Sequence, residues 1–332
     1  MTVGERGEHA LIEWLRRRLP QPGADVLVGI GDDAAVVRPP RNTLLVQTTD
    51  ALVDGVHVDT RLVTPGDVGR RAVAVNLSDL AAMGARPEWL LLSLVLPASW
   101  PLPHFEALID GVADEARRWG AQVVGGNITR TAGPLVVDVT ATGSVRPRRL
   151  LRRDTARPGD ELWMTGTVGG SAAGLALLRA GATVLDDHAR DAVACYATPT
   201  PRLREAWALA RERAARAAID VSDGLADAVR QLATASGTGA RLDAAALPVH
   251  PAVVDWCAAT GRDQAAASLA SDDYELLVAV PPKSAGRLRA ARRGLATAFA
   301  RIGVLTAGHD LVLRRATHDE PLPAGFEHFA GV

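Results

Sequence analysis

The hydrophobic positions of this chain change period along its length, and each change marks out an element. From Glu5 to Leu19 the apolar residues Leu11, Ile12, Trp14, Leu15 and Leu19 recur at helical spacing until Pro20, which predicts a helix. Short apolar runs at 26–30 (VLVGI) and 43–48 (TLLVQT) predict strands. Between 65 and 82 the period is helical again, with Val68, Ala72, Val75 and Leu80 on one side and Pro65 near the start, where a missing amide is tolerated. WLLLSLVLP at 89–97 predicts a buried strand, 103–119 a helix, AQVVGG at 121–126 a strand ending in a glycine pair, and LVVDVTATGSV at 135–145 an alternating strand. A basic, proline-containing link, RPRRLLRRDTARPGD at 146–160, is expected to hold the domain boundary, giving domains 1–148 and 149–332. Beyond it the pattern predicts strands at 162–166, 217–221 and 274–280 and on to about 315, with helices from Ser171, Thr200 and Asp223 and near 284–297. The halves share this style, and VNLSDLA at 75–81 echoes DVSDGLA at 220–226, so the expected fold class is α/β (α+β), built from a duplicated unit.

Composition narrows the chemistry. A chain of 332 residues, 48% hydrophobic and 23% charged, is long enough for two domains with their own cores. Its net charge of -1 gives no electrostatic reason to expect a nucleic acid or an anionic membrane as partner. No apolar run reaches the roughly 18 residues that span a bilayer, and the start MTVGERGEH lacks a signal-peptide core, so a cytoplasmic protein is expected. Cys195 and Cys257 make no CxxC pair and read as reduced core residues. Of the 37 basic residues only Lys283 is a lysine, in the turn-like PPKSAG, which excludes a Walker A loop and the strand lysine of the protein-kinase scaffold. Neither HExxH nor GxSxG occurs. Carboxylates, glycines and arginines are left to carry the chemistry.

The acids are placed suggestively. Asp33 in GIGDDAAVV, Asp50 in TTD and Asp220 in AIDVSDG each close an apolar run beside Gly, Ser or Thr, and strand ends of α/β proteins gather sites. Taken singly, these aspartates and Asp79 and Asp223 read equally as solvent-facing or capping residues, and Ser78-Asp79 and Ser222-Asp223 resemble N-caps. If several converge, two unit charges about 4 Å apart repel by about 4 kcal/mol at an effective dielectric of 20. Mg²⁺ answers that repulsion, because it takes oxygen ligands and favours one or two carboxylates together with phosphate oxygens. A nucleotide-phosphate site follows, with Asp32 shaping the turn and Asp33 reaching the metal. Two readings stand for MTGTVGGSAAGLALL at 164–178: helix amides at Gly170, Ser171 and Ala172 open to an anion, or a tight turn capped by Ser171. Gly125-Gly126 allows a close backbone approach to a ligand or makes a turn, Arg153 pairs with a phosphate or is solvated, and His57 is structural or shares the cleft of Asp50.

Together GIGDDAAVV, TTDALVDGVHV, AVNLSDLAAMGARP, VVGGN-TR, LRRDTARPGD, TGTVGGSAAGLALL, AIDVSDGL, DYELL and GFEHF resemble, in order and spacing, the thiamine-monophosphate kinases of the aminoimidazole ribonucleotide synthetase superfamily. The resemblance runs from about Gly7 to Phe329. It implies two α/β domains, an N-terminal sheet packed across a homodimer, and ATP-dependent conversion of thiamine monophosphate to thiamine diphosphate. It further implies several Mg²⁺ ions on Asp33, Thr48, Thr49, Asp50, Asp79, Asn127, Asp220 and Asp223. Gly126, Asn127, Arg153 and Ser222 are then expected at ATP, and His57, Asp272 and Phe326 at the thiamine phosphate. No residue acts as a catalytic acid or base in this scheme, since the acceptor phosphate is already anionic.

The chain departs from the family pattern at four places. Asn127 follows Gly125-Gly126 where the family has Asp, and still offers a carbonyl oxygen; Gly170 stands in place of an Asp. Ala270-Ser271-Asp272 replaces Gly-Gly-Glu, and Phe326 stands where Tyr also occurs. A kinase of the same fold with another phosphorylated acceptor, and a nucleotide-binding homologue with impaired turnover, are the alternatives these changes leave.

Overall fold

The computed structural model describes residues 1–183 and 186–324. The chain divides into two compact units, one of Met1–Leu80 with Ala85–Pro147, the other of Ala81–Gly84 with the chain from Arg148 onward.

In the first unit the apolar repeat near the N-terminus forms two helices rather than one, α1 (Val3–Arg6) and α2 (Glu8–Arg18). The break falls at Gly7, whose φ of 82° is incompatible with a continuing helix, and Thr2 and Glu5 close a capping box on α1. A short hairpin pairs β1 (Val26–Val28) with β2 (Val36–Val37). The four-stranded sheet has the order β3 (Leu44–Val53), β6 (Val136–Val145), β4 (Arg86–Pro97), β5 (Gln122–Thr131). Two 18-residue helices, α3 (Pro65–Ala82) and α4 (Leu102–Trp119), belong to this unit, and their periodicity is the one read from the sequence. Alternate strand residues Leu90, Leu92, Leu94, Val137, Val139 and Ala141 are buried with Leu77, Leu80, Leu108 and Ile109 of these helices. The other sheet face is more open, and Leu45 and Leu91 on it are 51% and 42% exposed.

Strand β5 does not end at its glycine pair; it runs on to Thr131 beside β4. Gly126 sits mid-strand at φ 155°, just beyond a register shift, and a Cβ there would lie 1.8 Å from the carbonyl oxygen of Leu92. Close strand approach at a bulge accounts for this glycine without any ligand.

The second unit carries a seven-stranded sheet in the order β13 (Asp319–Pro321), β12 (Leu311–Arg314), β9 (Gly239–Asp243), β11 (Phe299–Thr306), β7 (Glu161–Thr165), β10 (Leu276–Val280), β8 (Ala217–Asp220). All neighbours pair antiparallel except β12 with β9. α8 (Leu225–Ser236) closes the main core through Leu225, Val229 and Leu232. α5 (Gly170–Arg179), α6 (Asp187–Ala197) and α9 (Pro251–Thr260) share a smaller core of Ala173, Ala192, Val253 and Cys257. α7 (Leu203–Glu212), α10 (Gln264–Leu269) and α11 (Ala285–Ala291) complete the unit among the described residues. Sheets of four and seven strands with different orders do not repeat one another, and the sequence echo falls inside helix α3 in one case and across a strand-loop-helix junction in the other. No helix among the described residues is long and apolar enough to cross a membrane.

Candidate active site

The first unit gathers its oxygen donors where α3 lies against edge strand β3. Thr48, Asp50 and Leu52 alternate onto the helix-covered face. The Thr48 hydroxyl donates to Asp79 of α3 across 2.5 Å. The backbone amide of Asp50 donates to Asn76 Oδ1 at 3.0 Å, one helical turn before Asp79, while Asn76 Nδ2 donates to the carbonyl of Ala72 at 3.0 Å. Asn76 is fully buried and thus ties an edge-strand amide to the helix that carries Asp79. Its only sequence signal is a carboxamide interrupting the apolar run of AVNL. Ser78 and Asp79 lie inside α3, so neither caps a helix, and the N-cap position of α8 is Gly224 rather than Ser222 or Asp223.

Thr49 points to the opposite face, where its hydroxyl meets Asp138 at 3.0 Å and Thr140 at 3.0 Å. Asn127 pairs with Ser93, and Ser93 with Asp138, so Asn127 belongs to that same open face. Asp50 and Gly126 occupy one cross-strand row, separated by β6 and β4, roughly 14 Å at three strand spacings. In the turn between β1 and β2 the Asp33 amide donates to Asp32 Oδ1 at 2.8 Å, which gives Asp32 the turn-shaping part and leaves the Asp33 side chain exposed. His57 follows β3, and its Nδ1 accepts from the Val53 amide at 3.1 Å, which places the ring proton of the neutral form on Nε2.

In the second unit two distant motifs are stitched side by side. Val221 N donates to Glu275 O and Tyr274 N to Val221 O, each at 2.8 Å, so the loop after Asp220 runs beside the segment 271–275. Tyr274 takes φ 52° to make the connection. The amides at the start of α5 are taken up by side chains from segment 271–273. Gly169 N and Ser171 N donate to the Asp273 carboxylate at 2.7 and 3.0 Å, and Ala172 N donates to Ser271 Oγ at 3.1 Å. Burial pushes the Asp273 carboxyl up to about 7, although the donors from Ser171 and Gly169 draw it down. The Ser171 hydroxyl donates instead to Asp272 at 2.7 Å. Glu275 accepts from Thr165 Oγ1 and Arg202 Nε, each at 2.6 Å, and from Arg202 Nη2. Arg153 is exposed and donates to Gln231 on α8. Phe326 lies outside the described residues.

Around Gly170 the space is filled: a Cβ there would lie 3.0 Å from Cys195 Sγ and 3.0 Å from His250 Cδ2. Donor atoms of Asp191, Cys195 and His250 lie within 4.8 Å of one another. This trio is a poor metal cradle, because His250 Nδ1 accepts the Ala252 amide and its Nε2 therefore carries a proton facing Asp191. Burial first, then the carboxylates of Asp273, Asp191 and Glu275, push the Cys195 thiol from the usual 9.0 up to about 12. The thiolate fraction at pH 8 therefore falls about a thousandfold. Iodoacetamide is expected to alkylate Cys195 of the native protein at least ~100-fold more slowly than that of the urea-unfolded chain. Equal rates by mass spectrometry would refute this environment.

The architecture and the donor set define a class. The model for the AIR synthase related protein N-terminal domain matches residues 31–145 and that for the C-terminal domain 157–315. Thiamine-monophosphate kinase of Salmonella typhimurium is 39% identical over 302 residues, 91% of each chain. Among solved structures, thiamine-monophosphate kinase from Stenotrophomonas maltophilia superposes with a TM-score of 0.80 at 36% identity, covering 91% of this chain and 94% of that one. AaThiL complexed with AMPPCP and TMP superposes at 0.77 with 29% identity, covering 99% of both. The chain thus belongs to the thiamine-monophosphate kinase family within the AIR synthase related proteins.

Proposed function

We propose that this chain phosphorylates thiamine monophosphate to thiamine diphosphate with ATP, by direct in-line transfer assisted by several Mg²⁺ ions. The observation that carries the reading is the packing of α3 on β3, which sets Thr48, Asp50 and Asp79 on one face within a lattice of hydrogen bonds. These are hard oxygen donors, and the set suits Mg²⁺. Asp33, Thr48, Asp50 and Asp79 would hold the metal in the first unit, and Asp220 and Asp223 in the second; Thr49 and Asn127 join them on motif alone. When bound, Mg²⁺ neutralises phosphate oxygens and the transferred phosphoryl group.

The remaining work falls to the protein's own groups. Gly126, Asn127, Arg153 and Ser222 would bind the nucleotide, and His57, Asp272 and Phe326 the acceptor. The acceptor phosphate is anionic at neutral pH and needs no general base, so orientation and charge carry the rate. The family relation and the absence of any lysine but Lys283 agree with a transfer that uses no catalytic lysine. The first domain, 1–148, is assigned to ATP, Mg²⁺ and dimerisation, and the second, 149–332, is the C-terminal aminoimidazole ribonucleotide synthetase-like domain. The exposed Leu45 and Leu91 on the open sheet face support a homodimer, and the protein is placed in the cytoplasm.

ADP release measured with thiamine monophosphate is expected to require both acceptor and Mg²⁺. Release with another phosphomonoester at tenfold higher kcat/KM would replace the acceptor assignment, a reading motivated by Asp272 and by the filled space at Gly170. Tight nucleotide binding with no turnover of any acceptor would overturn the kinase assignment.

A further inference from the structure

We infer that Ser171 is a positioning residue for the acceptor, acting through Asp272; the inference rests on the functional reading above. Ser171 is completely buried at the start of α5, and its backbone amide is fixed on Asp273 Oδ1 at 3.0 Å. Its rotamer is thereby set by packing, and its hydroxyl donates to Asp272 Oδ1 at 2.7 Å. The same helix end holds the neighbouring backbone: Ala172 N donates to Ser271 Oγ at 3.1 Å and Ser271 Oγ donates to Asp273 at 2.9 Å. Segment 271–273 is therefore clamped to α5 by three successive side chains, and the middle one, Asp272, is the partly exposed carboxylate.

A free aspartate rotates about two torsions, and a hydroxyl donor on one oxygen narrows that freedom. A side chain one methylene shorter than glutamate reaches less far, so its direction matters more to any ligand it meets. Ser171 supplies that direction from a helix terminus rather than from a loop, which is the more precise support. The clamp also explains why Ser271 stands at a position where glycine would have served a turn: its hydroxyl satisfies a helix amide.

The test compares steady-state kinetics of the full-length wild type with Ser171→Ala, Asp272→Ala and the double variant. Ser171→Ala is expected to raise the KM for thiamine monophosphate about tenfold, with kcat and the KM for ATP within about twofold. In the Asp272→Ala background the same change is expected to alter that KM less than about twofold, because the group it orients is gone. A merely structural Ser171 would affect both backgrounds alike, and that outcome overturns the inference, as does an unchanged KM in the single variant. Should Ser171→Ala melt well below the wild type, Ser171→Cys, of similar size but a weak donor, carries the test with the same two readouts. A wild type that releases no ADP with thiamine monophosphate overturns the functional reading and this inference with it, whereas normal wild-type turnover with additive variants overturns the inference alone.

Discussion

Asp79→Asn is expected to lower kcat/KM for ADP release by about 100- to 1000-fold while leaving the thermal midpoint within a few degrees of the wild type. The argument starts from shape. Asparagine keeps the branching and one oxygen of aspartate, so Thr48 keeps an acceptor on α3 and the helix keeps its place against β3. Asn76, three residues earlier, goes on receiving the Asp50 amide, so the local backbone is held independently of the substitution. Only the charge is removed. A carboxylate that holds Mg²⁺ against a triphosphate contributes several kcal/mol to a transition state whose charge sits on phosphate oxygens, and each 1.36 kcal/mol is tenfold in rate. The apparent Mg²⁺ requirement is expected to rise in parallel. If Asp79 is instead a helix-surface acid satisfied by Thr48, the variant turns over within fivefold of the wild type, and the metal assignment on β3 and α3 fails.

How far this site was legible in sequence depends on which physical rule each residue obeys. Helices α3 and α4 and strands β4 and β6 were readable because burial against one partner face imposes a strict period, and nothing in their sequences competes with it. The N-terminal helix broke at Gly7 because a backbone φ is invisible to hydrophobic periodicity. Strand β5 outran its glycine pair because Gly126 is spent on a neighbouring carbonyl, and that is a tertiary contact. α6, β9, α9 and α10 carry weak or mixed patterns and went unseen.

The same division applies to the site. Thr48 reaches Asp79 through its hydroxyl, whereas Asp50 meets the same helix only through its backbone amide on Asn76 and lies within β3 rather than at its end. Thr48 and Thr49 could not both face α3, since adjacent strand residues alternate. At α5 the sequence offered an anion or a serine cap, and the occupant is Asp273, about a hundred residues away along the chain. That contact depends on how β10 enters its sheet, and no local spacing encodes it. Arg202 and Glu275 were missed for the same reason.

Arg202→Met is expected to destabilise the protein by about 3–5 kcal/mol, read as a shift of the urea midpoint at constant slope. Glu275 is 4% exposed, and its two oxygens are taken up by Thr165 Oγ1, Arg202 Nε and Arg202 Nη2. The carboxylate packs against bare backbone at Gly166, which takes φ 56° and where a Cβ would lie 1.9 Å from a Glu275 oxygen. Removing the guanidinium leaves a charge buried with one hydroxyl donor, and the desolvation cost then stands largely uncompensated. The control separates charge from packing. Arg202→Met combined with Glu275→Gln is expected to recover more than half of the loss, since a neutral amide is far cheaper to bury and Thr165 still finds an acceptor in it. Because Glu275 anchors the segment before β10 that carries Tyr274, Asp273 and Asp272, the single variant is also expected to raise the KM for the acceptor, and the double variant to restore it in part. A midpoint shift worth less than about 1 kcal/mol in Arg202→Met would mean that water reaches Glu275 and that the segment is held by its backbone bonds to Val221 and its side-chain bonds to α5 without the ion pair.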